Sequence, residues 1–198
     1  MGNREDLLEG AKRCLLEKGY RATTARDIAA ASGVSLAAIG YHFGSKEALM
    51  NRAVYEAVGE WSETFEQALA AADPNATPLE RIEMLWTHMV GSFETTRRLW
   101  LAQFELVAET DRQPELRKFF ADIQPEAHLG LAEIFHGADP QSDEKTALVV
   151  GKLYHAILIG VMAQWLINPE SASTGHDLAE ALRIIAASIQ PGGVTHAT

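Results

Sequence analysis

The sequence predicts an all-α protein: an N-terminal three-helix domain of the helix-turn-helix kind, then a larger helical domain, about nine helices in all. Three observations carry this. Apolar residues recur at i, i+3, i+4 and i+7 through most of the chain. No clean run of alternating apolar and polar residues and no Asn-Gly hairpin turn is present. Glycines, prolines and capping residues gather at a few points that punctuate the helical runs.

The first helix is expected from about Arg4 to Lys18, with Leu7, Leu8, Ala11, Cys14 and Leu15 on one face and Gly19 as its stop. A second opens at Thr24, where Thr24 and Asp27 have capping-box spacing with Asp in place of the usual Glu. Ser32-Gly33 ends it. A third follows Ser35, a favourable N-cap, and reaches Tyr41 or His42 before Gly44 breaks it. Ser45 caps a fourth helix with a stripe of Leu49, Ala53, Val54, Ala57, Trp61, Phe65 and Ala68. It runs to about residue 71 and is about 40 Å long. After a linker, Thr77, Pro78 and Glu80 take the cap, N1 and N3 positions of a fifth helix, which buries Leu79, Ile82, Leu85 and Val90. A sixth is expected over 97–109, and a seventh from Pro114 to Gly137 that Pro125 kinks or splits. Ser142 caps an eighth helix to Ile167, and a ninth spans about Asp177 to Ile189. The domains expected are 1–50, 51–191 and a flexible tail at 192–198.

At 198 residues and 47% hydrophobic, the chain can bury a sizeable core. Its single cysteine, Cys14, excludes an internal disulfide framework. Residues 1–8 lack an apolar signal segment, so a reducing cytoplasm is expected. The run from Leu153 to Ile167 carries no formal charge, but its 15 residues fall short of the ~20 that span a bilayer. It reads as a helix buried on all sides, and no membrane partner is expected.

The net charge of −10 is uneven. Residues 1–52 hold eight Lys/Arg against six Asp/Glu, and the rest hold nine against twenty-one. An acidic body repels DNA, so only the near-neutral N-terminal part can approach it.

Residues 24–42 read as two short helices joined at Ser32-Gly33-Val34. That spacing suits a helix-turn-helix whose second helix is free to enter the major groove. Ile28, Val34 and Ile39 pack the pair together, and Gly33 supplies the positive φ of the tight turn. The pattern alone also occurs in helical proteins that never meet DNA.

The run Thr23-Thr24-Ala25-Arg26-Asp27-Ile28-Ala29, then Ser32-Gly33-Val34-Ser35, then Ile39-Gly40-Tyr41-His42-Phe43-Gly44-Ser45-Lys46-Glu47-Ala48-Leu49 closely resembles the TetR family signature over residues 4–52. The resemblance implies a transcriptional regulator, most simply a repressor, that binds palindromic double-stranded operator DNA as a homodimer and is released by a small effector. It implies that Thr24 caps the second helix and touches a phosphate, and that Arg26 can reach a base. It also implies that Ser35 caps the recognition helix and that Leu36, Ala37, Ala38 and Gly40 face the groove. Tyr41, His42 and Lys46 then meet the backbone, and Phe43 fills the small core. Bland alternatives stay open: Tyr41 and Phe43 as core aromatics, His42 as a packed histidine, Lys46 as a solvated helix start. The chain departs from the family pattern at Gly40, where a larger residue is usual. Ala37 and Ala38 can touch thymine methyls but cannot pair with guanine. Specificity is therefore expected from Arg26, methyl contacts and DNA shape.

For the larger domain the resemblance implies an effector pocket among the middle helices. Candidate lining residues are Trp86, Met89, Phe93, Trp100, Phe104 and Phe120, together with Tyr154, Leu158, Met162 and Trp165. Each has ordinary core packing as its alternative. Their aromatic, uncharged character points to an apolar or aromatic effector. The eighth helix is apolar around its circumference, so it is expected to pack on its own domain and on a partner copy. Leu148, Gly151, Ile159 and Leu166, with Leu178, Leu182, Ile185 and Ile189 of the ninth helix, are assigned to a two-fold four-helix interface. Effector binding would shift the population of DNA-binding geometries through the fourth helix.

Catalysis is not expected. No His-x-x-x-His, Cys-x-x-Cys, Gly-x-Ser-x-Gly or phosphate loop is present, and no cofactor is called for. The alternatives in other classes are a helical interaction module and a metal-responsive sensor using some of the seven histidines.

Overall fold

The computed structural model describes residues 2–70, 73, 75–137, 139 and 141–189. The expected tail at 192–198 lies outside them. The described residues form eight α-helices and one short 3₁₀ turn: α1 (Asn3–Lys18), α2 (Ala25–Ser32), α3 (Leu36–Phe43), α4 (Lys46–Ala70), α5 (Pro78–Glu109), α6 (Pro114–His136), α7 (Glu144–Ile167), the turn Pro169–Ser171, and α8 (Gly175–Ile189). No strand occurs among them.

Most helix starts follow the expected chemistry. Thr24 and Asp27 close a reciprocal capping box. The Ser45 hydroxyl accepts from the Ala48 N–H at 3.0 Å, and Thr77 and Glu80 cap α5 reciprocally. Two expectations are corrected. The cap of α7 is Asp143, whose carboxylate accepts from the Thr146 N–H at 3.1 Å, and not Ser142. The fifth and sixth helices are one continuous 32-residue helix, α5. Between Phe93 and Arg97 stand only Glu94, Thr95 and Thr96, and none of these breaks a helix as glycine or proline does. Pro125 lies inside α6 without dividing it.

By contacts the chain forms two units. Of the described residues, the first holds those up to 64 and 94–122, the second those within 65–93 and 123–189. In the first unit α1, α2 and α3 pack together around Leu7, Leu15, Ile28, Ile39, Leu49 and Met50, all buried. The later part of this unit is tied to that bundle. Arg98 donates to the Leu16 carbonyl at 3.4 Å, and Arg21 forms ion pairs with Glu105 and Glu109 at 3.6 and 3.7 Å. Trp61 and Trp100 meet edge to face at 4.4 Å. The Tyr20 hydroxyl donates to Asn51 Oδ1 at 2.6 Å, and burial pushes its pKa up to about 12.

The second unit has an aromatic core. Trp86 packs against Phe135 at 4.9 Å, Phe135 stacks on Tyr154 at 4.9 Å, and Phe93 meets Trp165 at 5.7 Å. His128 Nε2 and His155 Nδ1 lie 3.1 Å apart, within hydrogen-bond distance. Burial pushes both imidazoles below their ordinary pKa, helped by Lys152 at His128 and by His128 at His155. By length and composition α7 is apolar enough to cross a membrane, with a mean hydropathy of 1.7 over its most apolar 18 residues. Here Tyr154, Leu158, Val161, Met162 and Trp165 of that helix are core residues.

Candidate nucleic-acid interface

The second helix of the motif, α3, divides its faces sharply. Ile39 is buried, and Phe43 is half-buried with the Arg4 guanidinium 5.1 Å above its ring. Phe43 thus covers the bundle's edge under a cation–π lid rather than filling its centre. On the other side Leu36, Ala37, Gly40 and Tyr41 are exposed. Their i, i+1, i+4, i+5 spacing makes one continuous strip. Tyr41 is 86% exposed and Leu36 49%, high values for large apolar side chains. Tyr41 is therefore no core aromatic. Its ring meets His42, half-buried, edge to face at 4.9 Å. Ala38 is half-buried, on the flank of the strip and not at its centre. A Cβ built on Gly40 meets nothing within 4 Å, so the fold itself does not require glycine there.

Gly33 closes the turn before this helix with φ +71°, the left-handed conformation that glycine takes most cheaply. Ser35 has the extended backbone of an N-cap, but its side chain makes no cap bond. The expected capping role is thus corrected, and the exposed hydroxyl keeps its donor for another partner.

Thr24 and Lys46 carry more internal structure than a simple DNA contact needs. The Thr24 hydroxyl accepts from the Asp27 N–H at 3.2 Å and donates to Asp27 Oδ2 at 2.6 Å. Lys18 Nζ donates to Asp27 Oδ1 at 2.5 Å. These bonds, that of Lys18 foremost, hold the Asp27 carboxyl far below the usual carboxylate range. Lys46 Nζ donates to the Thr23 carbonyl at 3.3 Å and lies 3.4 Å from Glu47 Oε1, so it pins the start of α4 to the loop before α2. Thr23 is the residue that sequence reasoning quoted and left without a role. It is buried, and its hydroxyl donates toward the Gly19 and Cys14 carbonyls at 2.8 and 3.2 Å. A buried threonine beside an exposed one is invisible to spacing rules. Arg26 is exposed with no internal hydrogen bond or ion pair among the described residues.

The ten residues assigned to an effector pocket belong to both units. Trp100, Phe104 and Phe120 are in the first, the other seven in the second. Phe104 and Phe120 are half-buried; Trp86, Met89, Phe93, Trp100, Tyr154, Leu158, Met162 and Trp165 are buried. An open groove of about 570 Å³ on α5, lined by Glu80, Glu83, Met84, Thr87 and His88, includes none of the ten.

Of the residues assigned to a partner surface, Ile185 and Ile189 are more than half exposed, and Leu148, Ile159, Leu166, Leu178 and Leu182 are half-buried. Gly151 is a correction. It is buried inside its own chain, and a Cβ there would lie 1.8 Å from the His128 carbonyl oxygen. The exposed side of α7 carries Val149, Leu153 and Ile167 instead, and α8 adds Ile184. Among the described residues, no three His, Cys, Asp or Glu side chains are placed to hold a metal.

A short helix, a left-handed turn and a second helix with a bare outer strip, set on a three-helix bundle, define a helix-turn-helix protein. A family profile described as "Bacterial regulatory proteins, tetR family" matches residues 7–53. A second, "Tetracyclin repressor-like, C-terminal domain", matches residues 77–188, more than half of the chain. The chain belongs to the TetR family of DNA-binding transcriptional regulators. It is similar to the HTH-type transcriptional repressor AcnR of Corynebacterium efficiens, 26% identical over 96% of this chain and 94% of that one. It is also similar to the HTH-type transcriptional repressor KstR2 of Mycobacterium tuberculosis, 36% identical over 46% of this chain and 42% of that one. Among solved structures, a transcriptional regulator from Rhodococcus sp. RHA1 shares the fold with a TM-score of 0.69 at 23% identity, over 99% of this chain and all of that one. The multidrug binding protein EbrR in complex with proflavin has a TM-score of 0.63 at 23% identity, over 93% and 99% of the two chains.

Proposed function

We propose that this chain is a homodimeric repressor that binds palindromic operator DNA through residues 1–50 and is released when a small apolar or aromatic effector binds residues 51–191. It acts in the cytoplasm, where that DNA is. The observation that carries the reading is the strip Leu36, Ala37, Gly40 and Tyr41, exposed together with Arg26 and Ser35, whose side chains have no partner among the described residues. Large apolar side chains are left bare on a short helix where a partner covers them, and Arg26 supplies the bidentate donor that guanine recognition uses. Thr24, Ala38, His42 and Lys46 flank the strip and meet sugar and phosphate. The Thr24 hydroxyl donates outward only by giving up its bond to Asp27, whereas the Lys46 ammonium, with two internal partners, keeps a third N–H for a phosphate.

Homodimer formation rests on a second observation. On α7, Val149, Leu153, Ala156, Gly160 and Ile167 fall on one helical face, and Val149, Leu153 and Ile167 are 57–85% exposed. On α8, Ile184, Ile185 and Ile189 are 53–76% exposed. Two apolar faces on consecutive helices suit a two-fold four-helix contact, with Leu148, Ile159, Leu166, Leu178 and Leu182 at its margin. The names of AcnR and KstR2 support repression. EbrR, seen with proflavin, supports a flat aromatic effector, with the assigned residues of the second unit, Trp86, Met89, Phe93, Tyr154, Leu158, Met162 and Trp165, as its surroundings.

The test is fluorescence anisotropy on a duplex that the protein selects from random sequence, repeated across salt concentrations, with sedimentation of the free protein. We expect a dimer whose log affinity falls steeply and linearly with log salt. A single subunit in sedimentation, or binding indifferent to salt, would overturn the reading.

A further inference from the structure

Three side chains form a continuous aromatic stack in the second unit: Trp86 of α5, Phe135 of α6 and Tyr154 of α7. The Trp86 and Phe135 rings are 4.9 Å apart and tilted by 33°; those of Phe135 and Tyr154 are 4.9 Å apart and nearly parallel at 20°. Trp86 is completely buried. Its indole N–H, the only polar group on its side chain, has no hydrogen-bond partner. Arg52 and Glu105 also have one buried atom without a hydrogen bond, yet each side chain has an ionic partner, Glu56 for Arg52 and Arg21 for Glu105. Among the described residues, Trp86 alone on that short list has no polar contact of any kind.

An unsatisfied buried donor costs about 1–3 kcal/mol, and native cores hold few. A protein that wanted only volume here would be served by phenylalanine. Indole instead keeps one directional donor at the end of a buried aromatic stack, and a few placed polar groups among apolar walls are how a small-molecule site fixes orientation. Phe135 offers no acceptor. Tyr154, at the other end, carries a neutral phenol, which donates as well as accepts, and burial raises its pKa further. A stack with a donor-only indole at one end, a neutral phenol at the other and no anionic group favours an acceptor at the indole and disfavours a cation.

We infer that the Trp86–Phe135–Tyr154 stack is the effector-binding surface, and that its ligand is a neutral or anionic planar aromatic compound with an oxygen acceptor that takes the Trp86 N–H. The inference rests on the effector-released reading above and names the chemistry that reading left open.

Two probes of the same shape separate the claims: 9-fluorenone, planar with a carbonyl acceptor, and fluorene, without it. Binding is measured by calorimetry to the full-length wild type, Trp86→Phe and Phe135→Leu, with thermal unfolding of each variant as a control for folding. We expect 9-fluorenone to bind wild type at least tenfold more tightly than fluorene. Trp86→Phe should bring the two within threefold. Phe135→Leu, which enlarges the site and leaves the indole in place, should keep the preference. Equal affinities in wild type, a preference that survives Trp86→Phe, or no binding of either probe would overturn the assignment. If 9-fluorenone binds with the Trp86-dependent preference but leaves affinity for the selected duplex unchanged, the site stands and the effector-released reading fails.

Discussion

At the scale of single residues, the exposed strip proposed to face DNA was legible in kind and less so in detail. Arg26, Leu36, Ala37, Gly40 and Tyr41 stand exposed where the signature put them. Thr24, Ser35 and Lys46 differ, because spacing along the chain says nothing of the partner a hydroxyl or an ammonium finds in space. Thr24 gives its proton to Asp27, Lys46 reaches back to Thr23, and Ser35 holds a cap position without making the cap. Among the described residues, Arg26 keeps a guanidinium with no internal hydrogen bond or ion pair. Arg26→Ala should relax base preference by about 1–3 kcal/mol at one position of each half-site, read by competition among singly substituted duplexes. Unchanged preference with merely weaker binding would reassign Arg26 to the phosphates. The histidine pair gives a second prediction. Burial makes His128 and His155 reluctant to take a proton in the native state, whereas in the unfolded chain they titrate near the ordinary value of about 6.5. Below that pH the unfolded state binds more protons, so stability is full above it and declines as pH falls toward the lowered native values. Urea unfolding at a series of pH values should show the decline, and His155→Gln should flatten it. A slope untouched by that variant would place its origin elsewhere.

At the scale of elements, local rules served well wherever the determining residues are neighbours. The caps at Thr24, Ser45 and Thr77 are read directly from three-residue spacing, and the structure makes each of those bonds. The choice between Ser142 and Asp143 is a contest of adjacent good caps, and the carboxylate took the Thr146 N–H. The expected gap after Phe93 had no residue to enforce it, and α5 runs through. Contacts between helices were beyond such rules. Nothing near Gly151 in sequence reveals that α6 passes so close that the His128 carbonyl occupies the space of a side chain. Gly151→Ala should therefore destabilise the protein by about 3 kcal/mol, at or beyond the usual range for overpacking, seen as a lowered midpoint in denaturant unfolding. Gly160, whose Cβ position is open within the chain, serves as the control. A Gly151→Ala protein as stable as wild type would mean that α6 and α7 can part at little cost.

At the scale of the whole molecule, composition anticipated a division of labour that a net charge of −10 conceals. The basic residues that can approach a polyanion are concentrated before residue 53, and the acidic remainder discourages other encounters. The apolar content of α7 pointed to a helix with two covered sides, and the structure shows one side in the core and the other bare. Which residues lie on which side depends on where α6 packs, so the buried Gly151 and the exposed Val149 and Leu153 could not be sorted by hydropathy. Ile185→Lys, on the bare side, should weaken self-association at least about tenfold, or 1.4 kcal/mol, with little loss of monomer stability. Sedimentation and thermal unfolding of the same variant check both halves. An undiminished dimer would move the interface away from α8.

Pro125 has no N–H to give, so the carbonyl of Ala121, one turn earlier, loses the bond every other interior carbonyl of α6 enjoys. The chain passes from one set of neighbours to the other between Asp122 and Ile123, inside that same turn. The missing ladder bond therefore falls in the turn where the helix exchanges one set of neighbours for the other.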